Sequence, residues 1–391
     1  MNVPKLRFKE FTDEYKDYYI NELGDVITGT TPPTNDKENY GNEYLWASPI
    51  DMGLYKYVYD TKNKLSEKGF KKVRPIPKDS ILVTCIGSTI GKMGIAYKEM
   101  ATNQQINTLI CNKNFDNNYI YYCIEYNFPR FLNKIAFQAV PIISKSEFEK
   151  LMVNCSTNKL EQTKIANFLS LLDKKIELQT KKIENLKLFK LALQNNIYAS
   201  INNKIKLEDI GCFISGYGFP EKYQGHKNLS IPFYKVSDMN NFGNEIYMNN
   251  SNNTLSLEIC SHLKLRPIPN RSIIFAKIGA AIMLDRKRIA TPPFLIDNNM
   301  MSYYINREDI DFDYIFYFLD SIKFSHYVQQ GALPSLSSGD LGKIKIPFVN
   351  IQKQKIIGTT FNLYIRKIIL EKEKLNKLFE LKKGIMCNMF I

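Results

Sequence analysis

One stretch of heptad-spaced apolar residues occurs twice in this chain, and it constrains the fold more than any other feature. In the first copy, residues 159–201, the apolar steps are Ile165, Leu169, Leu172, Ile176, Ile183, Leu186, Leu193 and Ile197. In the second, residues 352–391, they are Ile357, Phe361, Tyr364, Ile368, Leu375, Leu378, Ile385 and Met389. Steps alternating between three and four are those of a helix that packs along another helix. The interruptions repeat as well. Gln179 and Lys190 break the first pattern, and Glu371 and Lys382 break the second at the same offset (371 − 179 = 192; 382 − 190 = 192).

Two like helices in one chain predict an antiparallel pair. The register that matches apolar with apolar sets Ile176 against Ile385, Ile183 against Leu378, and Leu172 further along the same seam. It also sets Lys190 against Glu371 and Gln179 against Lys382, so each basic break gains a polar partner. An unpaired charge in a seam is costly, whereas a paired one fixes register. The alternative is two separate amphipathic helices, each covering its own core.

What precedes each helix is also repeated. VRPIPKDSILVTCIG, residues 73–87, is echoed by LRPIPNRSIIFAKIG, residues 265–279. Asn118-Tyr119-Ile120-Tyr121-Tyr122 is echoed by Asp313-Tyr314-Ile315-Phe316-Tyr317. The apolar runs starting at Ile81 and Ile273 suit buried strands, and the aromatic runs suit short helices lying on a sheet. The expected fold class is α+β: two pseudo-repeated mixed α/β globules separated by two long helices that form an antiparallel coiled coil. The expected boundaries are 1–157 and 204–349 for the globules, and 158–203 and 350–391 for the helices.

The chain carries a net charge of +14, which favours a polyanion or an acidic surface as partner. Its seven cysteines include no CxxC pair and read as free thiols in a reducing compartment. No apolar run approaches the ~20 residues that span a bilayer. Cytoplasmic location and no membrane partner are the expectation.

Several motifs suggest chemistry and fail on spacing. In Gly87-Ser88-Thr89-Ile90-Gly91-Lys92, three residues separate the glycines where a phosphate loop has four, and Met93 stands in the magnesium-binding position. Thr291-Pro292-Pro293-Phe294 has the outline of a methyltransferase loop but lacks the amide or carboxylate that accepts from the amine. His226, His262 and His326 have no ligand spacing. No catalytic, cofactor-binding or metal-binding residue is therefore assigned.

Basic and polar loops remain as candidates for DNA contact, because Lys and Arg neutralise phosphates while Asn, Gln and Arg read base edges. In the first globule these are Thr30 and Thr34, with Lys62, Lys64, Lys71 and Lys72 from a lysine-rich stretch whose one acid is Glu67. In the second they are Tyr217, Lys222, Tyr223, His226, Lys227 and Asn228, together with Arg286 and Arg288.

Two unlike globules, each followed by a long helix opened by a stretch such as KLEQTKIANFLSLLDKKIE, resemble the specificity subunit of type I restriction–modification enzymes. The Glu161-Gln162-Thr163-Lys164-Ile165-Ala166 start, Leu171-Leu172-Asp173 and the IGSTIGKMGIA stretch carry the resemblance. The second copy departs from it, with Lys353 in place of the Glu and Ile365 in place of the Asp. The resemblance implies a non-catalytic subunit that reads a bipartite, asymmetric site in double-stranded DNA, one half per globule. It implies helices that dock two methyltransferase (M) subunits, with restriction (R) subunits completing the complex. S-adenosylmethionine, ATP and Mg are then expected on those partners, with no cofactor in this chain. The alternative is the specificity subunit of another restriction class, whose partner fuses cleavage and methylation.

Overall fold

The computed structural model describes residues 3–53, 55–133, 141–329 and 333–391. It divides into two compact units, residues 1–182 with 371–391, and residues 183–370. The two heptad stretches form helices Lys159–Ala199 and Ile351–Met389, and each helix contributes to both units.

In the first unit the chain enters on strand Tyr15–Tyr19, which pairs antiparallel with Met152–Ser156 at the foot of the first long helix. A five-stranded sheet follows, in the order Gly24–Thr28, Ile106–Cys111, Ile81–Thr84, Met93–Ala96, Tyr57–Val58. The residues of Ile81–Thr84 are all buried, as expected for a strand bounded by Pro and Gly. Helix Asn117–Leu132 is capped by the Asp116 carboxylate, which accepts from the Tyr119 N–H at 3.0 Å. Tyr119 and Tyr122 are fully buried in the core that this helix shares with the sheet and with Leu169, Leu172 and Met389 of the long helices. A second sheet of short strands, including Tyr44–Ala47, Met100–Thr102 and Pro75–Ile76, carries the loops.

The second unit repeats this plan. Lys204–Lys206 pairs with Lys345–Pro347, and the main sheet runs Gly211–Ser215, Met300–Ile305, Ser272–Ala276, Lys287–Ala290. Helix Phe312–Ser321 is capped by Asp311 as its counterpart is by Asp116. Tyr314, Tyr317 and Phe361 are buried together in its core.

The glutamine that opens each long helix has the same task in both units. Gln162 is fully buried; its side-chain oxygen accepts from the Asp116 N–H at 2.9 Å and its amide donates to the Ser156 carbonyl at 2.8 Å. Gln354 accepts from Asp311 N–H at 2.9 Å and donates to the Val349 carbonyl at 2.7 Å. An amide with both ends satisfied ties the long helix to the cap of the shorter one, where an apolar residue would strand buried backbone groups.

The helices run antiparallel within each unit, but not in the expected register. In the first unit the Gln179 amide donates to the Glu371 carboxylate at 2.7 Å, and Lys182 lies 3.0 Å from the same carboxylate. In the second unit Phe189 meets Tyr364 with ring centroids 5.7 Å apart. Glu371 therefore takes partners eight and eleven residues before Lys190 in sequence (190 − 182 = 8; 190 − 179 = 11), and the Lys190–Glu371 and Gln179–Lys382 pairings are corrected. The seam residues are still inside: Leu172, Ile176 and Ile183 are buried, and Leu378 and Ile385 are half-buried.

Both lysine breaks turn instead to an acid on the short helix of their globule. Lys382 meets Glu125 at 2.8 Å and Asp173 at 2.9 Å, while Lys190 meets Asp320 at 2.7 Å. Carboxylates of the folded globule outcompete any partner that helix-only matching can offer.

Candidate nucleic-acid interface

In the second unit the loop between Gly211–Ser215 and Ile231–Tyr234 is fastened from below and exposed above. The Tyr217 N–H donates to the Ile296 carbonyl at 2.9 Å. Phe219 stacks on buried Phe233, centroids 4.0 Å apart at 14°. The Asn253 side chain accepts from the Gly225 N–H at 2.8 Å, and the His226 carbonyl accepts from Thr254 N–H at 2.7 Å. Lys222, His226, Lys227 and Asn228 are exposed, and Tyr217 and Tyr223 are half-buried, with the Lys222 ammonium 4.7 Å from the Tyr223 ring centroid. Gly225 and Asn228 take positive φ (86° and 66°), which residues of these types tolerate. A backbone fixed in this way presents cation, imidazole and amide side chains without a large ordering cost on binding.

Of the candidates in this unit, the Arg286-Lys287-Arg288 run is engaged within the unit, and only Arg286 and Arg288 are half-buried rather than fully buried. Arg286 donates to the Asn240 side chain and Arg288 to the Asn244 carbonyl. Lys287 is buried, donating to the Ile322 carbonyl at 2.7 Å over the Phe324 ring. Burial pulls the Lys287 and Arg288 pKa values down. These cations hold loops together.

In the first unit the equivalent loop follows Gly24–Thr28. Thr30 is structural: its carbonyl accepts from the Trp46 indole at 3.1 Å and its hydroxyl from the Arg74 N–H at 3.1 Å. Thr34 is exposed. The lysine-rich stretch is less cationic than its sequence implies. Lys64 pairs with Asp60 at 2.8 Å, Lys71 with Glu67 at 2.7 Å, and Lys72 with Asp36 at 3.2 Å. Lys68 joins Asp36 and Glu38. Asp36 and Glu38 come from the neighbouring loop, beyond the reach of local counting. Exposed pairs of this kind contribute little to stability. Lys62 is exposed beside them.

The rejected motifs are structural. Around Gly87 the backbone N–H groups that a phosphate would need are spent on carbonyls: Gly87 on Pro141, Ile90 on Gly87, Gly91 on Thr84. Phe294 is fully buried and its carbonyl accepts from Ile268 N–H, so it presents no face to a base. Among the described residues no group of His, Cys, Asp or Glu has metal-binding geometry, and no helix is long and apolar enough to cross a membrane.

Two features escaped sequence reasoning. The first is Arg7, whose guanidinium makes a bidentate pair with fully buried Glu161 at 2.7 and 2.8 Å, pinning the N-terminal arm to the first long helix. Its signal was a Glu inside an otherwise apolar-periodic start. The second is an exposed apolar stripe on each helix: Leu171 and Leu178 (64% and 58% exposed) in the first unit, Ile356, Leu363 and Leu370 (67%, 63% and 49%) in the second. Spacing of seven is visible in sequence, but only the packed seam shows that this stripe faces outward.

Comparison with known proteins agrees with this architecture. The family described as type I restriction modification DNA specificity domain matches twice, over residues 12–188 and 201–380. The type I restriction enzyme MjaIX specificity subunit of Methanocaldococcus jannaschii is 27% identical over 72% of this chain and 70% of its own length. The HindI specificity subunit of Haemophilus influenzae is 36% identical over 23% of this chain and 20% of its own. A type I restriction–modification S subunit from M. genitalium superposes with a TM-score of 0.59 over 100% of this chain and 99% of its own, at 19% identity. A chain from a structure on complex assembly and conformational transition of the type I system gives 0.57, at 10% identity, over 96% and 98%. With both globules and most of each long helix inside the matched segments, the chain belongs to the type I restriction–modification DNA specificity family.

Proposed function

We infer that this chain is the non-catalytic, sequence-reading subunit of a type I restriction–modification complex. The observation that carries the reading is a repeated scaffold with unlike loops. The loop at 216–230 offers Lys222, His226, Lys227 and Asn228, whereas the loop after Gly24–Thr28 offers Thr34 beside paired lysines. Unlike loops read unlike bases, so the target is a bipartite, asymmetric site in double-stranded DNA with a fixed non-specific gap. The outward stripes through Leu171–Leu178 and Ile356–Leu363–Leu370 suit the docking of two M subunits, since contiguous exposed apolar residues mark protein-binding faces. S-adenosylmethionine belongs on those M subunits, and ATP and Mg on the R subunits. The type I names of the relatives favour this over a partner that fuses cleavage and methylation.

The test is methylated-adenine mapping in a host expressing the chain with its M subunit, with and without Lys222, Lys227 and Asn228 changed to Ala. Two separated half-sites are expected, with only one weakened by the triple change. A single continuous palindrome, or methyl transfer by the purified chain alone, would refute the reading. Leu171→Glu, Leu178→Glu, Leu363→Glu and Leu370→Glu together should abolish co-purification of the M subunit while leaving the chain folded, whereas Leu363→Glu with Leu370→Glu alone should remove one of the two copies.

A further inference from the structure

The two units seat their globules on the helices through equivalent clusters that differ in chemistry. In the first, the Lys56 ammonium donates to the Tyr122 hydroxyl at 2.9 Å and to Ser170 at 2.8 Å. The Tyr122 hydroxyl donates to Asp173 at 2.5 Å, and Asp173 also meets Lys382, which holds Glu125. Lys56 lies 4.3 Å from the Tyr122 ring centroid. The cluster borders a cavity of about 820 Å³, whose solvent reduces the cost of keeping two cations and two carboxylates there.

The second unit keeps half of this set. Tyr317, Asp320 and Lys190 stand for Tyr122, Glu125 and Lys382, with Lys190 on Asp320 at 2.7 Å. Asn362 stands for Ser170 and accepts from the Tyr317 hydroxyl at 2.6 Å. Ile365 stands for Asp173 (365 − 173 = 192). Lys56 is replaced by Ile246. The Lys56 carbonyl accepts from Ile95 N–H at 2.8 Å, the Ile246 carbonyl accepts from Ile289 N–H at 2.7 Å, and Ile95 and Ile289 pair with Ile81 and Ile273 in equivalent strands. Ile246 and Ile365 both pack on the core containing Tyr317 and Phe361. The globule residue and the helix residue have changed together, from Lys with Asp to Ile with Ile.

We propose that this two-residue match, Lys56 with Asp173 and Ile246 with Ile365, is an address that decides which globule each helix segment accepts. A helix segment carrying Asp at this position fits a globule presenting a lysine beside its tyrosine, and one carrying Ile fits a globule presenting an aliphatic. A mismatch strands either a half-buried ammonium or a carboxylate. The proposal concerns exchange of globules between helix segments and is independent of which bases either reads.

Thermal unfolding of the full chain tests it. Asp173→Ile should lower the midpoint by roughly 6–12 °C, and adding Lys56→Ile should recover at least half of that loss. Ile365→Asp should likewise be rescued by Ile246→Lys. Recovery by neither double variant overturns the proposal. Exchange is tested by a chain with a second copy of residues 15–157 in place of 204–349 and Asn362→Ser, made with Ile365 and with Ile365→Asp. The Asp version should unfold at the higher temperature; equal midpoints for the two folded chimeras overturn the address.

Discussion

The corrected helix register makes a quantitative prediction about charge reversal at Lys190. Its ammonium lies 2.7 Å from Asp320, with side chains 12% and 34% exposed. At an effective dielectric of about 20 the gross attraction of charges this close is about 6 kcal/mol, and desolvation cancels most of it, leaving a coupling of about 1–2 kcal/mol. Lys190→Glu places two carboxylates together and should destabilise by about 2–3 kcal/mol. Combining it with Asp320→Lys should restore most of that loss. Combining it with Glu371→Lys should not. Glu371 is held by Gln179, Lys182 and Lys374, so a lysine there meets two lysines and forfeits the Gln179 bond. The Lys190→Glu and Glu371→Lys losses should add to within about 0.5 kcal/mol. Urea unfolding of the parent, the three single variants and the two double variants, followed by far-UV circular dichroism, measures both cycles. Recovery of more than about 1 kcal/mol in the Lys190→Glu/Glu371→Lys chain would mean that the helices pair in the register first expected and that the Asp320 contact is incidental.

Lys227→Ala should weaken DNA binding and reduce the slope of log K against log salt by about 0.9 if the ammonium neutralises one phosphate, measurable by fluorescence anisotropy across salt concentrations. Arg288→Ala should instead lower stability by about 1–3 kcal/mol, by freeing the buried Asn244 carbonyl, and should leave the salt slope unchanged. Glu371 is held down to about 2 from its ordinary 4.5, chiefly by the Gln179 hydrogen bond and then Lys182. A depressed carboxylate stabilises above the unfolded value, so this contribution is present above about pH 4.5 and fades as pH falls toward 2; Glu371→Gln should flatten that acid limb in pH-resolved unfolding. Lys56 is pulled down to about 8 by burial, against Asp173. Between about pH 8 and 10 the unfolded chain holds this proton more tightly, so stability should rise with pH there, and Lys56→Met should remove the rise.

The sequence by itself determined what repeats along the chain. Apolar steps alternating between three and four mark a seam that packs along another helix, so both helices and their inward residues, from Leu172 to Ile385, were legible without coordinates. The duplicated VRPIPKDSILVT and NYIYY stretches likewise specified a buried strand and a packed helix in each unit, because strand and helix periods are local properties of backbone geometry. Partners of charges were not legible. Lys190 finds Asp320, Arg7 finds Glu161, Lys72 finds Asp36, and Arg288 finds the carbonyl of Asn244, each across a separation that no local pattern encodes. Electrostatic pairing is decided within a few ångströms of folded space, and only the tertiary structure brings those atoms together. For the same reason, the basic runs that looked most like DNA-contacting surface in the sequence proved to be largely occupied. The exposed 216–230 loop, set on buried Phe233, was separated from them only by the packing beneath it.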